Sequence, residues 1–232
     1  MGLGSPGYLT HVARHFALRS YAARGAVTTC YRMRPARLRL WCDPSASLPC
    51  YTLTMEILPA IPEDARGIKE VQYKTWLATY PNQEVGITVD DVEDRFKDAF
   101  SEASLKKNED KIRNKSAENR EMFVAKEDGK IIGFCTVTRQ IGKNQLNAIY
   151  VLPESQGKGI GLALWQRATE FIDPTKDTTV EVASYNAQAI EFYKKLGFAE
   201  TGRYFHDERF KMKSGAILPE AEMMRKAAAS AA

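Results

Sequence analysis

The sequence predicts a mixed α+β fold, in which helices flank a β-sheet, and three stretches carry this prediction. Residues 146–172 have the pattern of a buried strand, a loop of three alternating glycines and an amphipathic helix. Asp128-Gly129 separates two apolar runs and is a strong signal for a β-hairpin. Residues 198–212 and 216–225 form a predicted closing pair of strands. The predicted elements follow the order β-α-α-β-β-β-α-β-α-β-β.

The elements before the hairpin follow from periodicity and capping residues. A short strand over Glu56–Ile61 precedes Pro62-Glu63-Asp64, which opens a helix with acids in its first turn. The residues on one face of that helix are Ile68, Val71, Thr75 and Trp76. A second helix begins near Thr88, because this hydroxyl can cap the helix while Asp91 reaches back. The charged segment 104–120 predicts an exposed linker or a frayed helix.

The elements after this segment are mostly strands. They are predicted over Met122–Lys126, Lys130–Gln140, Leu146–Leu152, Thr178–Ala183, Phe198–Met212 and Ala216–Arg225. Pro153 ends the third of them, because proline offers no donor to the ladder. Asp173-Pro174 stops the helix that follows the glycine loop, and Gly197 caps a last helix over Ala187–Leu196.

The glycine loop, residues 156–161, is suited to binding a phosphate or pyrophosphate. Alternating glycines let successive backbone amides turn toward one point at the positive end of a helix, and Lys158 adds a cation. A tight turn without a ligand is the alternative. The spacing G-x-G-x-G is not the G-x-G-x-x-G dinucleotide fingerprint. A P-loop is excluded as well, because Gly157-Lys158 is followed by Gly159 rather than by Ser or Thr.

The loop resembles the acetyl-CoA loop of the GNAT N-acetyltransferases, whose pattern is Gln/Arg-x-x-Gly-x-Gly/Ala. Gln156, Gly159 and Gly161 fit this pattern, and Ile149-Tyr150-Val151-x-Pro153 fits the strand before it. Residues 185–198 match the family's N-x-x-A-x-x-F-Y-x-x-x-G-F through Asn186, Ala189, Phe192-Tyr193 and Gly197-Phe198. The resemblance covers about residues 55–226. It implies the GNAT (acyl-CoA N-acyltransferase) fold, a mixed and mostly antiparallel sheet flanked by helices.

The resemblance implies acetyl-CoA as cosubstrate and assigns residues to it. These are Ile149, Tyr150, Val151, Gln156, Gly157, Lys158, Gly159, Ile160, Gly161 and Asn186. In the family the strand before the loop separates from its neighbour, and its free backbone binds the pantetheine arm. An amide near Val151 would polarise the acetyl carbonyl. Plain strand core for Ile149 and Val151, and a helix N-cap for Asn186, are the alternative interpretations.

Acetyl transfer to an amine needs a neutral amine and a proton for the departing thiolate. By resemblance Tyr193 is the catalytic acid that protonates the thiolate, and a buried aromatic is the alternative. Trp76 and Tyr80 are similar to a Trp-x-x-x-Tyr of the PaiA-type spermidine/spermine acetyltransferases, where the region borders the acceptor pocket; a hydrophobic helix end is the alternative. Many relatives have a basic Glu where Gln145 stands, and Gln145 cannot take a proton. A water chain or a carboxylate from elsewhere must serve, and the sequence does not identify that carboxylate.

The function that follows is transfer of acetyl from acetyl-CoA to a primary amine, with a small molecule or a polyamine favoured. A non-catalytic acyl-CoA-binding regulatory module and a protein N-terminal or lysine acetyltransferase are the alternatives. We expect a cytoplasmic protein. No run of about 18 apolar residues occurs, so we expect no span of a membrane. We expect no nucleic-acid partner either, since the excess of basic residues is confined to residues 1–54. No metal site is predicted, because the chain has no C-x₂-C pair. The sequence leaves a homodimer open.

Residues 1–54 differ in composition from the rest of the chain. They hold seven arginines, no lysine and one acid, Asp43, so they carry +6, whereas the remainder carries −2. An Arg-rich transit peptide is one interpretation. The one we favour is a natural start at Met55. We therefore predict an acetyltransferase domain over 55–226, an Arg-rich leader over 1–54 that is disordered or outside the native domain, and a disordered tail over 227–232.

Overall fold

The structure is a computed structural model that describes residues 55–227, so the predicted leader and most of the predicted tail lie outside the described residues. A seven-stranded sheet runs through it in the spatial order β1-β2-β3-β4-β5-β7-β6. The strands are β1 Met55–Pro59, β2 Arg120–Glu127, β3 Lys130–Arg139, β4 Asn144–Val151, β5 Thr178–Ala183, β6 Ala199–Lys211 and β7 Ile217–Arg225. Neighbouring strands are antiparallel except β4 and β5, which confirms a mixed and mostly antiparallel sheet.

Five α-helices flank this sheet within residues 55–227. They are α1 Ala65–Thr79, α2 Val89–Phe96, α3 Glu102–Arg113, α4 Ile160–Thr169 and α5 Ala187–Lys195. The helix α3 occupies the segment for which the sequence left a linker or a frayed helix open. Ser101 caps it by accepting the amide of Ser104, and Ile112 is its only fully buried residue. A single apolar anchor gives no helical stripe, which is why periodicity alone did not identify it. None of the described helices is long and apolar enough to cross a membrane.

Helices α1 and α4 cover opposite faces of the sheet. On β4, the Tyr150 hydroxyl accepts a hydrogen bond from Trp76 of α1, whereas the adjacent Ile149 lies beside Gly161 of α4. Successive strand residues point to opposite faces, so the two helices bury the two sides of the same strand. Both faces of this strand are therefore packed. Leu146 is buried as the strand's apolar sequence predicted, whereas residues 148–151 are only half-buried.

The strands β4 and β5 are paired at one end only. Their parallel ladder joins Asn144–Thr178, Gln145–Thr179 and Leu146–Val180 and then stops. On the other side of β4, the register with β3 shifts at Asn147, which is a β-bulge that bends the strand. The fully buried Asn144 holds the closed end, because its amide group donates to the backbone oxygen of Asp173 at 2.8 Å.

Residues 147–151 of β4 and residues 181–183 of β5 consequently border a gap in the middle of the sheet. The glycine loop follows the open end of β4, and the start of α5 follows the open end of β5. The stretches that carry the sequence motifs therefore meet at one place.

Candidate active site

The glycine loop forms the N-terminal end of α4. Gly157 and Gly159 have φ angles of 75° and 83°, a left-handed conformation that favours glycine. The amide of Ala163 reaches the carbonyl of Gly159 at 3.0 Å, which closes the first turn of the helix. The amides that precede Ala163 in this turn have no partner inside the helix, so they are donors for an anion at the positive end of the helix dipole.

Gly161 has a packing role in addition to the one predicted for it. A Cβ atom at this position would lie 3.1 Å and 3.2 Å from two ring atoms of Phe192. Glycine therefore allows α4 and α5 to approach each other beside the loop. The predicted loop motif and the Phe192-Tyr193 motif are in contact here.

Gln156 connects the loop to its surroundings through its side chain. It donates from Nε2 to the carbonyl oxygen of Val151 at 3.1 Å, and its Oε1 accepts from Gln188 of α5 at 3.0 Å. These two bonds hold the loop against the end of β4 and the start of α5. The side chain thus supports the loop, whereas Lys158 is exposed and available to a ligand.

Asn186 occupies the N-cap of α5. Its Oδ1 accepts from the amide of Ala189 at 3.0 Å, which is the capping role that the sequence offered as an alternative. The cap uses only the oxygen of the side chain. Contact between Asn186 and a cofactor stays a prediction.

Tyr193 lies on α5 with its side chain turned into the core, where it is 6% exposed. Its ring packs edge-on against Phe192 and Phe198, with centroid distances of 5.4 Å and 5.8 Å. Burial, followed by the nearby Tyr150 and Cys135, raises the pKa of the Tyr193 hydroxyl above its usual range. The phenol therefore keeps its proton at neutral pH, which is the state that a proton donor needs.

A chain of aromatic hydrogen bonds fixes Tyr150 next to the gap. Its hydroxyl accepts from Trp76 Nε1 at 3.2 Å and lies 3.1 Å from the Tyr80 hydroxyl. The Tyr185 hydroxyl in turn donates to the carbonyl oxygen of Tyr80 at 2.8 Å. Burial raises the pKa of Tyr150, and of Tyr80 still further, so both remain protonated.

Trp76 and Tyr80, the predicted substrate-binding residues, are 3% and 8% exposed. Both side chains lie within hydrogen-bond distance of the Tyr150 hydroxyl. Their contact with a substrate stays a prediction. A surface cavity of about 580 Å³ also borders Trp76 and Phe210, but neither Tyr150 nor Tyr193 lines it. This cavity is consequently separate from the gap between β4 and β5.

Gln145 lies at the closed end of the gap, paired with Thr179. Its Oε1 accepts from Gln140 Nε2 at 2.6 Å. An amide in this position orients its neighbour and cannot accept a proton from an ammonium group. The proton must therefore pass to a water chain or to a carboxylate from elsewhere in the chain.

A carboxylate that the sequence analysis did not single out lies on β7. Glu220 is 5% exposed, it pairs with Ala183 of β5, and its Oε2 has no hydrogen-bond partner within residues 55–227. Burial, followed by the charges of Glu181 and Asp207, raises its pKa to about 7, although the nearby Arg209 opposes the shift. A carboxyl group with this pKa exchanges protons readily near neutral pH.

The sequence signal for Glu220 is ambiguous. Leu218, Glu220 and Glu222 alternate with Ala221 and Met223 along β7, as on any strand with one polar face. In the structure both faces are covered, so the polar positions are buried as well. Periodicity does not distinguish these two situations.

Comparisons with known proteins concern the family and the fold. A family model for the acetyltransferase (GNAT) domain matches residues 68–213. The chain is 39% identical over 87 residues to an uncharacterised N-acetyltransferase of Methanocaldococcus jannaschii, a match that covers 34% of this chain and 38% of the relative. It is 33% identical over 98 residues to streptothricin acetyltransferase of Streptomyces lavendulae, which covers 40% and 52%. The chain thus spans about half or less of the length of these curated relatives.

Among solved structures, the PaiA N-acetyltransferase of Thermoplasma acidophilum in complex with coenzyme A superimposes with a TM-score of 0.58. The superposition covers 75% of this chain and 99% of that chain at 22% identity. At this identity the likeness shows a shared fold.

Proposed function

Because the chain belongs to the acetyltransferase (GNAT) domain family, we propose that it transfers the acetyl group of acetyl-CoA to a primary amine by direct attack. The observation that carries this proposal is the gap between β4 and β5, which opens beside the helix N-terminus of the glycine loop. Acetyl-CoA needs a narrow channel for its pantetheine arm and an anion site for its pyrophosphate. The gap and the loop offer both at adjacent positions.

In this proposal the cofactor binds mainly to the main chain. The pyrophosphate lies on the amides of residues 157–161, with Lys158 as a cationic partner. The pantetheine arm follows the free edge of β4 along Ile149, Tyr150 and Val151, and an amide near Val151 polarises the acetyl carbonyl. Asn186, at the start of α5, donates from its amide nitrogen, which the helix cap leaves unused.

Tyr193 is the proposed donor of a proton to the CoA thiolate. Its raised pKa, caused first by burial, keeps the hydroxyl protonated until the thiolate forms. Phe192 fixes the adjacent helix face by contact with Gly161. The acid is thereby held on a helix rather than on a loop, which suits a group that must reach one sulfur atom.

We favour a small-molecule amine or a polyamine as the acceptor. Streptothricin acetyltransferase, one of the relatives, acts on a small molecule by its name. A protein N-terminus or lysine is the alternative acceptor. A non-catalytic acyl-CoA-binding module is a further alternative, which Gln145 favours because it replaces the usual base.

The test is a thiol-release assay of the full chain with acetyl-CoA and separate acceptors. The acceptors are spermidine, a simple monoamine, an amino acid and a lysine-containing peptide. Thiol release with spermidine or the monoamine supports the proposal, and release with the peptide alone supports a protein acetyltransferase. Calorimetric binding of acetyl-CoA without thiol release from any acceptor would identify the non-catalytic module.

A further inference from the structure

Glu220 combines burial with an unused oxygen. Most buried polar atoms in proteins have a hydrogen-bond partner, and a buried carboxylate without one costs stability. Among residues 55–227, the only buried side-chain atoms without a partner are Glu220 Oε2 and Arg120 Nε. A group that costs stability in this way requires an explanation.

The next acid along β7, Glu222, shows that hydrogen-bond donors for a carboxylate exist in this part of the structure. Glu222, which is also 5% exposed, accepts from Arg203 Nη1 at 3.1 Å and from the Thr201 hydroxyl at 3.1 Å. Lys143 Nζ lies 3.9 Å from Glu222 Oε1, the same oxygen that Arg203 contacts. Glu220 is two residues away on the same face and has none of these contacts.

The titratable and charged groups that face Glu220 come from four strands. They are Tyr150 of β4, Glu181 of β5, Asp207 and Arg209 of β6, and Glu222 of its own strand. Arg209 is engaged by Asp207, since its Nε donates to Oδ2 at 2.7 Å. The surroundings are thus acidic overall and suited to a cation, and Glu220 is the member with a free oxygen.

The position of Glu220 relates it to the gap. It pairs with Ala183, the last residue of β5, immediately before the turn that leads to Asn186 and α5. Its charge also acts on the hydroxyl of Tyr150, which borders the gap from β4. Ala183 packs in one hydrophobic cluster with Trp76 of α1 and with Tyr150. Residues paired across a ladder share a face of the sheet, so Glu220 lies on the face covered by α1, beside the open ends of β4 and β5.

We propose that Glu220 is the group that binds the ammonium form of the acceptor amine and takes its proton. This inference rests on the proposed acetyltransferase function and supplies the proton acceptor that Gln145 cannot provide. An alkyl amine of pKa near 10 is deprotonated in only about one molecule in 10³ at neutral pH, so a base beside the reacting nitrogen is needed.

The protons balance in the resulting sequence. Glu220 accepts one proton from the ammonium group, and the neutral nitrogen forms a bond to the thioester carbonyl carbon. The C–S bond then breaks, and the thiolate takes the proton of Tyr193. The second proton of the new N-acyl ammonium restores Tyr193, and Glu220 releases its proton to water. The net change is one amide, one free thiol and one proton released.

The experiment compares Glu220→Gln with Glu222→Gln in the full chain, using spermidine and a simple monoamine across pH 5.5 to 9.5. We expect the wild type to lose kcat/KM on the acidic side with a midpoint near 7, the pKa of Glu220. Glu220→Gln should lower kcat/KM at pH 7 by about 10²-fold or more and should recover as rising pH deprotonates the amine. Glu222→Gln should retain the wild-type acidic limb.

Two further measurements make the result independent of folding and of the choice of acceptor. Glu181→Gln removes a negative charge next to Glu220, so the acidic limb should move to lower pH. In ¹³C-glutamate-labelled wild type, one side-chain carboxyl, absent from Glu220→Gln, should titrate near pH 7.

The outcomes separate the two proposals. An active wild type whose pH profile is unchanged in Glu220→Gln overturns the role of Glu220 and leaves the acetyltransferase function intact. A Glu220 carboxyl that titrates at its ordinary value also overturns it. A wild type that releases no thiol with any amine overturns the function, and the role of Glu220 with it.

Discussion

Tyr193 illustrates how one residue can serve both packing and chemistry. Its ring fills space between Phe192 and Phe198, and its hydroxyl is the part that the proposed mechanism uses. Phenylalanine preserves the first role and removes the second. The two roles can therefore be separated by one substitution.

We predict that Tyr193→Phe lowers turnover by roughly 10²-fold or more, the usual scale for a lost general acid. The affinity for acetyl-CoA, measured by calorimetry, should change little. The free energy of unfolding should change by no more than about 1 kcal/mol, the scale of one hydrogen bond. Tyr204→Phe is the matched control, because Tyr204 is 63% exposed. If Tyr193→Phe is as active as this control, the thiolate receives its proton from water.

Glu220 has a consequence for stability that is opposite to its consequence for activity. Its folded pKa of about 7 lies above the ordinary 4.5, so the folded state binds the proton more tightly than the unfolded state. Stability associated with this group is therefore complete below pH 4.5 and is lost as pH rises through 7. At pH 8 the buried charge has no partner and destabilises the fold.

We predict that Glu220→Gln has a higher thermal midpoint than the wild type at pH 8 and that the difference disappears near pH 4. Thermal unfolding monitored by circular dichroism at the two pH values measures this. Glu222→Gln should instead lower the midpoint at pH 8, because it loses the contacts with Arg203 and Thr201. A Glu220 variant that is less stable than the wild type at pH 8 would indicate a structural partner for the carboxylate.

At the scale of elements, the glycine loop is held from both sides. Gln156 bonds to β4 and α5, and Gly161 lets the Phe192 ring approach α4. A substitution at Gly161 would therefore disturb the packing of two helices together with any ligand contact. Lys158 offers a cleaner test of anion binding, since it is exposed and its removal changes no helix contact.

We predict that Lys158→Glu weakens acetyl-CoA binding by about 10-fold, because it replaces an attractive charge at the helix N-terminus with a repulsive one. The loss should diminish as salt is added, which screens exposed charges. Lys107→Glu on α3, an exposed site far along the chain from the loop, is the control and should bind normally. Equal affinities for the two variants would mean that the loop is only a turn.

The N-terminus of helix α2 is held by side-chain hydrogen bonds, as the glycine loop is. Thr88 and Asp91 form the predicted capping box, with Thr88 Oγ1 accepting the Asp91 amide at 3.1 Å and Asp91 Oδ2 accepting the Thr88 amide at 2.9 Å. Asp91 also accepts the amide of Ser214 at 2.7 Å. Burial alone would raise the pKa of Asp91, but the bonds from Thr88 and Ser214 lower it to about 2. Both carboxylate oxygens of Asp91 thus accept hydrogen bonds within the protein, so this acid has a structural role rather than one in attracting a polycation.

At the scale of the whole molecule, β1 begins at Met55 and pairs with β2 along its entire length. We predict that a chain starting at Met55 folds and binds acetyl-CoA as tightly as the full chain, because every strand of the described sheet is retained. Thermal unfolding and calorimetry of the two proteins measure this. An insoluble truncated chain, or one with weaker binding, would show that residues 1–54 contribute to the domain.

Most of the sheet could be predicted because its strands have a period of two or are bounded by Gly and Pro. The span Thr178–Ala183 agrees with the prediction, and the hairpin at Asp128-Gly129 lies where the sequence placed it. The helix α3 could not be fixed, since Ile112 is its only buried residue. The motifs that carry the predicted site residues lie together at the open ends of β4 and β5, whereas the contact of these residues with acetyl-CoA stays a prediction.

Residues whose role depends on contacts between distant elements could not be identified in this way. Glu220 depends on β5 and β6 lying beside β7, and the fixing of Tyr150 depends on α1 crossing its strand. Neither relation is contained in a local pattern. Local patterns therefore suggest residues for the proposed cofactor side of the site, whereas the proposed proton acceptor emerges only from the arrangement of the strands.

A sheet that separates in its middle has more edges than its two outer strands. The diverging parts of β4 and β5 expose backbone groups of the kind that recruit strands of other proteins and lead to aggregation. Here they lie in the middle of the sheet, and α1 and α4 pack on the two faces of β4 beside them. An edge in this position is approached along the strand rather than from outside the sheet, which would suit a slender linear molecule better than a strand of another protein.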